Sequence, residues 1–409
     1  MPAEFLVTRP RSCHRLVHWN IKELDSKKLQ SADHPQVTSA GDILAELQPD
    51  ILSLNEIHND PSRQKTLGRD NLQDFLQHWD RAQELKYSSL SPSNTGQRSI
   101  PSQKRIDRSN FGLFPGQYAT GLASRFPIQK SLIVQALKWV EWQPQRDLSK
   151  FSFGSTAASE IELFDKSLSV QWLEIEGRSL AMVCLHAVPA FNFGQDKSPN
   201  AHRNHAQLQF LQWFLTGEPQ PAPEVLAHLH SLGLEALAPN QAFIAVGDLN
   251  SPLGDKRYPG GDIIQNLLNH PRIHPRMAMI PHSVLEHGPK FKPTMSFFSE
   301  GWDYAHLPTQ LDYMLISKEL TILNMQVIFA KPDRQIHAIR DSDVDSSPLI
   351  ESLQKPGRRV SVMKGAAFGR MDQVAVVSVS EAFAKLRAAS DHLPLLLDFC
   401  WRDSTTVPN

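Results

Sequence analysis

Cysteine is scarce in this chain: its 409 residues include three, and Cys13, Cys184 and Cys400 lie far apart without a CxxC pair. Disulfide-rich domains use even sets of cysteines and thiolate zinc sites use CxxC pairs, so the sequence argues against both. The HExxH pattern of many zinc hydrolases is also absent. These absences argue against chemistry that depends on thiolates or on an HExxH helix.

Long hydrophobic runs and an excess of charge of either sign are missing too. No stretch of about 18 apolar residues is available to span a membrane, and the N-terminus lacks the pattern of a signal peptide. Lys and Arg number 42 against 43 Asp and Glu, so the overall charge does not indicate nucleic acid as a partner. We expect a cytoplasmic protein without stable membrane insertion, and its oligomeric state stays open.

Short apolar runs recur along the chain, with helical segments or loops between them, and several are predicted to be buried strands. The helical spacing of Ile43, Leu44 and Leu47 predicts a helix from Ala40, and a second helix is predicted at NHAQLQFLQWFLT. Strands interleaved with helices predict an α/β fold with buried sheets. The predicted strands are HRLVHWNI, ILSLNEI, SLAMVCLHAVP, AFIAVGDLN, LDYMLIS and HLPLLLDF.

Three segments have the composition of insertions or long loops, at residues 57–118, 252–308 and 331–370. Neither an internal repeat nor a linker separates them from the rest. We therefore predict one domain over residues 1–409, with two domains as the alternative.

Polar residues stand at the ends of the predicted strands: Asn20, Glu56, His186, Asp248, Asn250, Asp312, Asp391 and His392. Ligands of buried α/β sheets collect at one end of the strands, so these side chains are expected to converge. Carboxylate and amide oxygens suit Mg²⁺ or Mn²⁺, and such an ion suits the hydrolysis of phosphate esters.

The sequence VGDLNS places Asp248 and Asn250 two positions apart. Residues two apart in a strand point to the same face, so both are predicted to address one phosphate. The alternative is that GDLNSP forms an Asx-turn, in which the aspartate binds the backbone two residues on. His18, beside Trp19, is interpreted as an ordinary strand residue.

Seven pieces in order resemble the endonuclease/exonuclease/phosphatase superfamily, the metal-dependent phosphoesterases related to pancreatic deoxyribonuclease. They are HWNI, PDILSLNEI, GLASRFPI, CLHAVP, VGDLNS, LDYMLIS and SDHLPLLLDF, and they span almost the whole chain. SPSNTG and HRNHAQLQF resemble a bacterial branch of this superfamily. The resemblance implies a four-layered α/β sandwich, with two packed mixed β-sheets flanked by helices.

The resemblance also implies roles for the matched residues. Those implied to bind the metal are Asn20, Glu56, Asp248 and Asp391. Those implied to act in catalysis are His186, Asp248, Asn250, Asp312 and His392, with Asp312 orienting His392, and those implied to contact the substrate are Asn20, His186 and Asn250. Two positions depart from the nuclease pattern: Lys22 replaces an acidic residue found in some nucleases, and His186 stands where nucleases have a tyrosine.

These patterns predict a Mg²⁺- or Mn²⁺-dependent phosphoesterase that hydrolyses a phosphodiester or phosphomonoester by direct attack of water. The expected substrate is a nucleic acid, a phosphoinositide-like headgroup or a small phosphoester. The alternatives are a nucleic-acid endonuclease or exonuclease specifically, or a catalytically silent binding protein on the same fold. Lys104, Arg105 and Arg108 could bind an anionic substrate or form a solvated loop, and His202 and His205 are interpreted as decorating a helix start.

Overall fold

The fold is known from a computed structural model, which describes most of the chain. The description leaves out residues 1–4, 6, 11–12, 32, 80, 82, 98–109, 152, 154–157, 192–195, 255–256, 278–309, 332, 334, 341, 343, 345–347, 365–372 and 403–409. The cluster of Lys104, Arg105 and Arg108 lies outside the described residues, as does most of the segment 252–308.

The strands of the described residues are, in chain order, β1 (His14–Leu24), β2 (Ile51–Ile57), β3 (Tyr87–Leu90), β4 (Ala119–Ser124), β5 (Ile128–Val134), β6 (Leu168–Ile175), β7 (Arg178–Leu185), β8 (Ala242–Asp248), β9 (Asp312–Ile316), β10 (Leu320–Val327), β11 (Gln335–Arg340), β12 (Arg358–Lys364), β13 (Gln373–Ser380) and β14 (Leu395–Trp401). One sheet has the order β10-β14-β1-β2-β4-β3, and a second has the order β5-β6-β7-β8-β9. Both are mixed, since β1 pairs with β2, and β7 with β8, in parallel, among antiparallel neighbours.

The helices of the described residues are α1 (Ser26–Leu29), α2 (Pro35–Leu47), α3 (Pro61–Leu67), α4 (Asn71–His78), α5 (Trp139–Trp142), α6 (Asn200–Thr216), α7 (Pro223–Ser231), α8 (Gly260–Asn269), α9 (Pro348–Leu353) and α10 (Glu381–Ala389), with a 3₁₀ turn at Ala158–Glu160. In this part of the chain, no helix has the length and apolar character needed to cross a membrane.

Side chains of the second sheet alternate between two cores, as the two-residue period of a strand requires. Met182 and Cys184 of β7 belong to the core that lies between the two sheets and continues to helices α2 and α10. Val183 and Leu185 pack instead with helices α6 and α8. The layers therefore run helix, sheet, sheet, helix, which confirms the predicted four-layered sandwich.

Two predictions about local structure need correction. Helix α2 begins at Pro35 rather than near Ala40, because a proline at the first turn needs no hydrogen-bond partner and the His34 side chain accepts the Gln36 N–H. Segment 57–118 is not a long loop, since it contains α3, α4 and β3.

Segment 331–370 also holds regular structure. It contributes β11, α9 and β12, and β11 and β12 flank β13 in a third sheet that the sequence did not indicate. The single-domain organisation stays a prediction.

Candidate active site

Six of the predicted site residues meet where the two sheets face each other. Asn20 lies on β1 and Glu56 on β2, and these strands are parallel, so both side chains lie toward the same edge of the first sheet. His186 follows β7, Asp248 ends β8 and Asp312 begins β9, opposite Asp248. His392 precedes β14. The structure thus joins residues that are up to 372 positions apart in the sequence.

Asn20 connects two carboxylates that come from different sheets. Its amide nitrogen donates to Glu56 Oε1 at 3.0 Å and to Asp248 Oδ2 at 3.1 Å. Its amide oxygen accepts the Lys22 N–H at 3.1 Å. The amide nitrogen of Asn20, rather than its oxygen, therefore faces the carboxylates.

The carboxyl groups of Glu56 and Asp248 lie in a poorly solvated place. Glu56 has a side chain that is 18% exposed, and Asp248 is almost fully buried. Burial raises the pKa of Glu56. Burial, followed by the charge of Asp312, also raises the pKa of Asp248. A nearby cation would stabilise the charged forms of both carboxylates.

His186 lies beside both of these carboxylates. Its Nε2 is 3.7 Å from Asp248 Oδ2 and 3.9 Å from Glu56 Oε1. The ligand atoms of the three residues lie within 4.8 Å of one another. Burial, and next the charge of Lys166, holds the pKa of His186 well below its usual value, so the imidazole is neutral. Its buried Nδ1 has no hydrogen-bond partner among the described residues.

His392 is held in a buried ion pair with Asp312. Its Nδ1 is 2.7 Å from Asp312 Oδ2, and its Nε2 is 3.7 Å from Asp248 Oδ2. Burial alone would lower the pKa of His392, but the Asp312 carboxylate reverses this and raises it to about 10. His392 is therefore an imidazolium at neutral pH. The structure shows the predicted contact between Asp312 and His392.

Asn250 lies beyond the end of β8, in the left-handed backbone region with φ +51°. Asp248 and Asn250 therefore do not share one strand face, and that prediction is wrong, because the strand ends at Asp248. Asp248 Oδ1 accepts the Asn250 N–H at 2.9 Å, which is the Asx-turn. The Asn250 amide donates to Ala187 O at 3.1 Å, so it still lies beside His186.

The charge of Asp391 reaches Glu56 and His392, although its carboxylate supplies no atom to their clusters. Its carboxylate is 3.2 Å from the Lys22 ammonium, and it is not among the acidic and histidine clusters of the described residues that could hold an ion. The lysine that departs from the nuclease pattern thus pairs with a predicted metal ligand. His202 and His205 lie on α6, where His202 contacts Arg146, so they decorate a helix start as expected.

Three further residues at the site were not predicted from the sequence. Asn55 accepts the Asp248 N–H at 2.9 Å and thereby ties β8 to β2. Buried Lys166 donates to Asp165 at 2.8 Å and to Ala187 O at 3.3 Å. His18 is fully buried with its Nε2 3.8 Å from Asp312 Oδ1. Its position two residues before Asn20, on the same strand face, was a signal that could have indicated it.

The fold agrees with the family comparison. The model of the Endonuclease/Exonuclease/phosphatase family matches residues 17–392, a range that includes every predicted site residue. The chain belongs to this family, which confirms the resemblance read from its motifs.

The chain is also similar to solved structures at low identity. A family protein from Leptotrichia buccalis is 12% identical, over 95% of this chain and 100% of that chain, with a TM-score of 0.45. Sphingomyelinase C from Streptomyces griseocarneus is 13% identical, over 94% of this chain and 99% of that chain, with a TM-score of 0.45. D. rerio TDP2 complexed with a single-strand DNA product is 14% identical, over 95% of this chain and 99% of that chain, with a TM-score of 0.43. No curated protein sequence matches the chain.

Proposed function

We propose that this protein is a divalent-metal-dependent phosphoesterase that hydrolyses its substrate by direct attack of water. The observation that carries the proposal is the pair Glu56 and Asp248, which share one Asn20 donor and both have raised pKa values. A divalent cation beside them would stabilise the charged forms of both carboxylates, which burial disfavours.

The donor set suits Mg²⁺ or Mn²⁺, because it is mostly oxygen with one imidazole nitrogen. Glu56 and Asp248 would hold the ion, and Asn20 would fix the two carboxylates relative to each other. When bound, the ion would polarise a phosphoryl oxygen and promote ionisation of water. Asp391 is not proposed as a metal ligand, because its carboxylate forms an ion pair with Lys22.

The remaining groups would act on the phosphate and on the attacking water. Asp248 would hold the water through its carboxylate. His392, as an imidazolium fixed by Asp312, would donate from Nε2 to a phosphate oxygen. His186 and Asn250 would contact the substrate phosphate from the side of Ala187. This assignment uses His392 as a donor to the phosphate rather than as a base.

The substrate class is a phosphate ester, with nucleic acid, phosphoinositide-like headgroups and small phosphoesters as the candidates. The test is a panel of supercoiled plasmid, inositol phosphates, sphingomyelin and bis(p-nitrophenyl) phosphate, each assayed with Mg²⁺, Mn²⁺ and Ca²⁺. We expect turnover that chelator abolishes and Mg²⁺ or Mn²⁺ restores. Full turnover after dialysis against chelator would show that the reaction does not require a metal. A metal-induced rise in Tm without turnover of any substrate would favour a catalytically silent binding protein.

Glu56→Gln should raise the half-saturating Mg²⁺ concentration about tenfold or more, because it removes a charge from the ion's ligands. The measurements are a Mg²⁺ titration of turnover and a Mg²⁺ titration of Tm. Glu235→Gln, a change at an exposed position, is the matched control and should leave both titrations unchanged. A Glu56→Gln variant with the wild-type titrations would remove Glu56 from the site.

A further inference from the structure

His18 is a buried histidine that the proposed reaction does not use. It lies on β1 with no exposed surface, and its Nδ1 is 3.1 Å from Ser53 Oγ. Ser53 Oγ in turn lies 3.6 Å from Cys184 Sγ. The Nε2 of His18 faces Asp312 Oδ1 at 3.8 Å and has no hydrogen-bond partner among the described residues. A buried polar nitrogen aimed at a carboxylate calls for an explanation, because such groups are usually satisfied.

Asp312 joins His18 to His392 through its two oxygens. One oxygen accepts from His392 at 2.7 Å, and the other faces His18. An ionised carboxylate can accept at both oxygens, so an imidazole on each side suits its chemistry. With a proton on Nε2, His18 would present a donor to Asp312, and its Nδ1 would accept the Ser53 hydroxyl, which would then turn away from Cys184 Sγ. The 3.8 Å separation is longer than a hydrogen bond, and such contacts commonly tighten when substrate binds.

Strand β1 also holds the backbone around His392. The Trp19 indole N–H donates to His392 O at 2.9 Å. The Ser390 hydroxyl donates to Asn20 O at 2.6 Å and accepts the His392 N–H at 3.1 Å. Three consecutive residues of β1 therefore lie around His392: His18 faces its partner Asp312, and Trp19 and Asn20 hold the backbone at residues 390–392.

We propose that His18 is a positioning residue, whose Nε2–H orients the Asp312 carboxylate so that Asp312 holds His392 in its working orientation. The role rests on the proposed function of His392 as the donor to the phosphate. It requires the nitrogen at the Nε2 position, whereas a role in packing alone requires only the volume of the ring.

Two substitutions separate the nitrogens of His18. His18→Gln carries an amide at about the Nε2 position, and His18→Asn carries one at about the Nδ1 position. We expect His18→Gln to keep kcat on bis(p-nitrophenyl) phosphate within about threefold of wild type. His18→Asn should lower kcat by about tenfold or more with KM unchanged, on the scale of losing a group that orients a catalytic one. Equal kcat losses in both variants, or none in either, would overturn the role.

A double mutant tests whether His18 acts through Asp312. If it does, His18→Asn combined with Asp312→Asn should lose no more kcat than Asp312→Asn alone. Losses that multiply would show that His18 acts independently and would contradict the proposal.

Proton NMR of the ligand-free protein supplies a readout without turnover. The Nδ1–H of His392, assigned by its disappearance in Asp312→Asn, should appear downfield in wild type and in His18→Gln, and should shift or broaden in His18→Asn. An unchanged resonance in His18→Asn would refute the positioning role even in an active enzyme. If wild type hydrolyses none of the substrates, the proposed function fails, while this resonance still decides whether His18 orders His392.

Discussion

At the scale of single residues, the site depends on side chains that serve two partners at once. Asn20 donates to carboxylates on both sheets, and Asp312 faces imidazoles on both sides. Asp248 accepts from Asn20 and from the backbone of Asn250. Such shared contacts fix geometry well, but each substitution then alters two interactions, so single mutants need controls that separate them.

At Asn250, the role of the side-chain amide can be separated from that of the left-handed backbone conformation. Asn250→Ala removes the amide and also places alanine at φ +51°, which costs about 1–2 kcal/mol, whereas glycine adopts this conformation freely. Both Asn250→Ala and Asn250→Gly should lower turnover, by about 10²-fold if the amide contacts the transition state. Urea unfolding should show a stability loss mainly in the alanine variant. Normal turnover in Asn250→Gly would show that the turn alone matters, and the substrate role of the amide would be wrong.

At the scale of elements, the strand ends bring the chemistry together because β7 and β8 pack very closely. Asp248 O accepts the Ala187 N–H at 2.9 Å just beyond the pairing of the two strands. Gly247 makes the approach possible: a Cβ there would lie 1.7 Å from Leu185 O, a backbone atom. The residue before Asp248 is therefore glycine because β7 leaves no space for a side chain.

Gly247→Ala should destabilise the protein by about 3 kcal/mol, the upper range for overpacking, and should lower turnover by displacing Asp248. The matched control is Gly41→Ala in α2, where a new Cβ meets Trp79 Cβ at an ordinary 3.7 Å. That change should stabilise by about 0.5–1 kcal/mol, since alanine favours helices over glycine. Urea unfolding measures both, and a Gly247→Ala variant as stable as wild type would contradict the close approach.

At the scale of the whole molecule, a buried charge cluster supports the wall of the site. Asp165 accepts from Lys166 at 2.8 Å and from Gln207 of α6 at 3.1 Å, which ties the second sheet to its outer helix. Burial alone would raise the pKa of Asp165, but Lys166, and then Arg203, lower it below its usual value. A carboxylate with a lowered pKa stabilises the fold above its unfolded pKa of about 3.9 and loses that contribution as pH falls.

Asp165→Asn should therefore cost about 3–5 kcal/mol at pH 7, because Lys166 would remain buried without its partner. The stability difference from wild type should shrink below about pH 4, where Asp165 takes up a proton in the unfolded chain before it does so in the folded one. Urea unfolding at pH 7 and at pH 3 measures the two differences. Asp196→Asn, at an exposed position, is the control, with changes within about 0.5 kcal/mol. A difference that is equal at both pH values would show that the Asp165 charge is not the cause.

The sequence by itself determined six of the strands, because apolar runs and the polar residues that end them are local patterns, and its motifs implied the sandwich and the family by resemblance. Glu56, Asp248 and His392 could be predicted for the same reason, since each ends or precedes a recognisable strand. The neutral imidazole of His186 and the imidazolium of His392 could not, because both follow from burial and from charges on other elements.

Only the tertiary structure decided which polar groups share contacts. Asn20 and Asp248 are 228 residues apart, and no local pattern records that one amide serves both sheets. The turn at Asn250, the pairing of Asp391 with Lys22 and the approach of His18 to Asp312 arise in the same way. A side chain's partner depends on how strands from distant parts of the chain are placed, whereas the strand itself depends on its neighbours in the sequence.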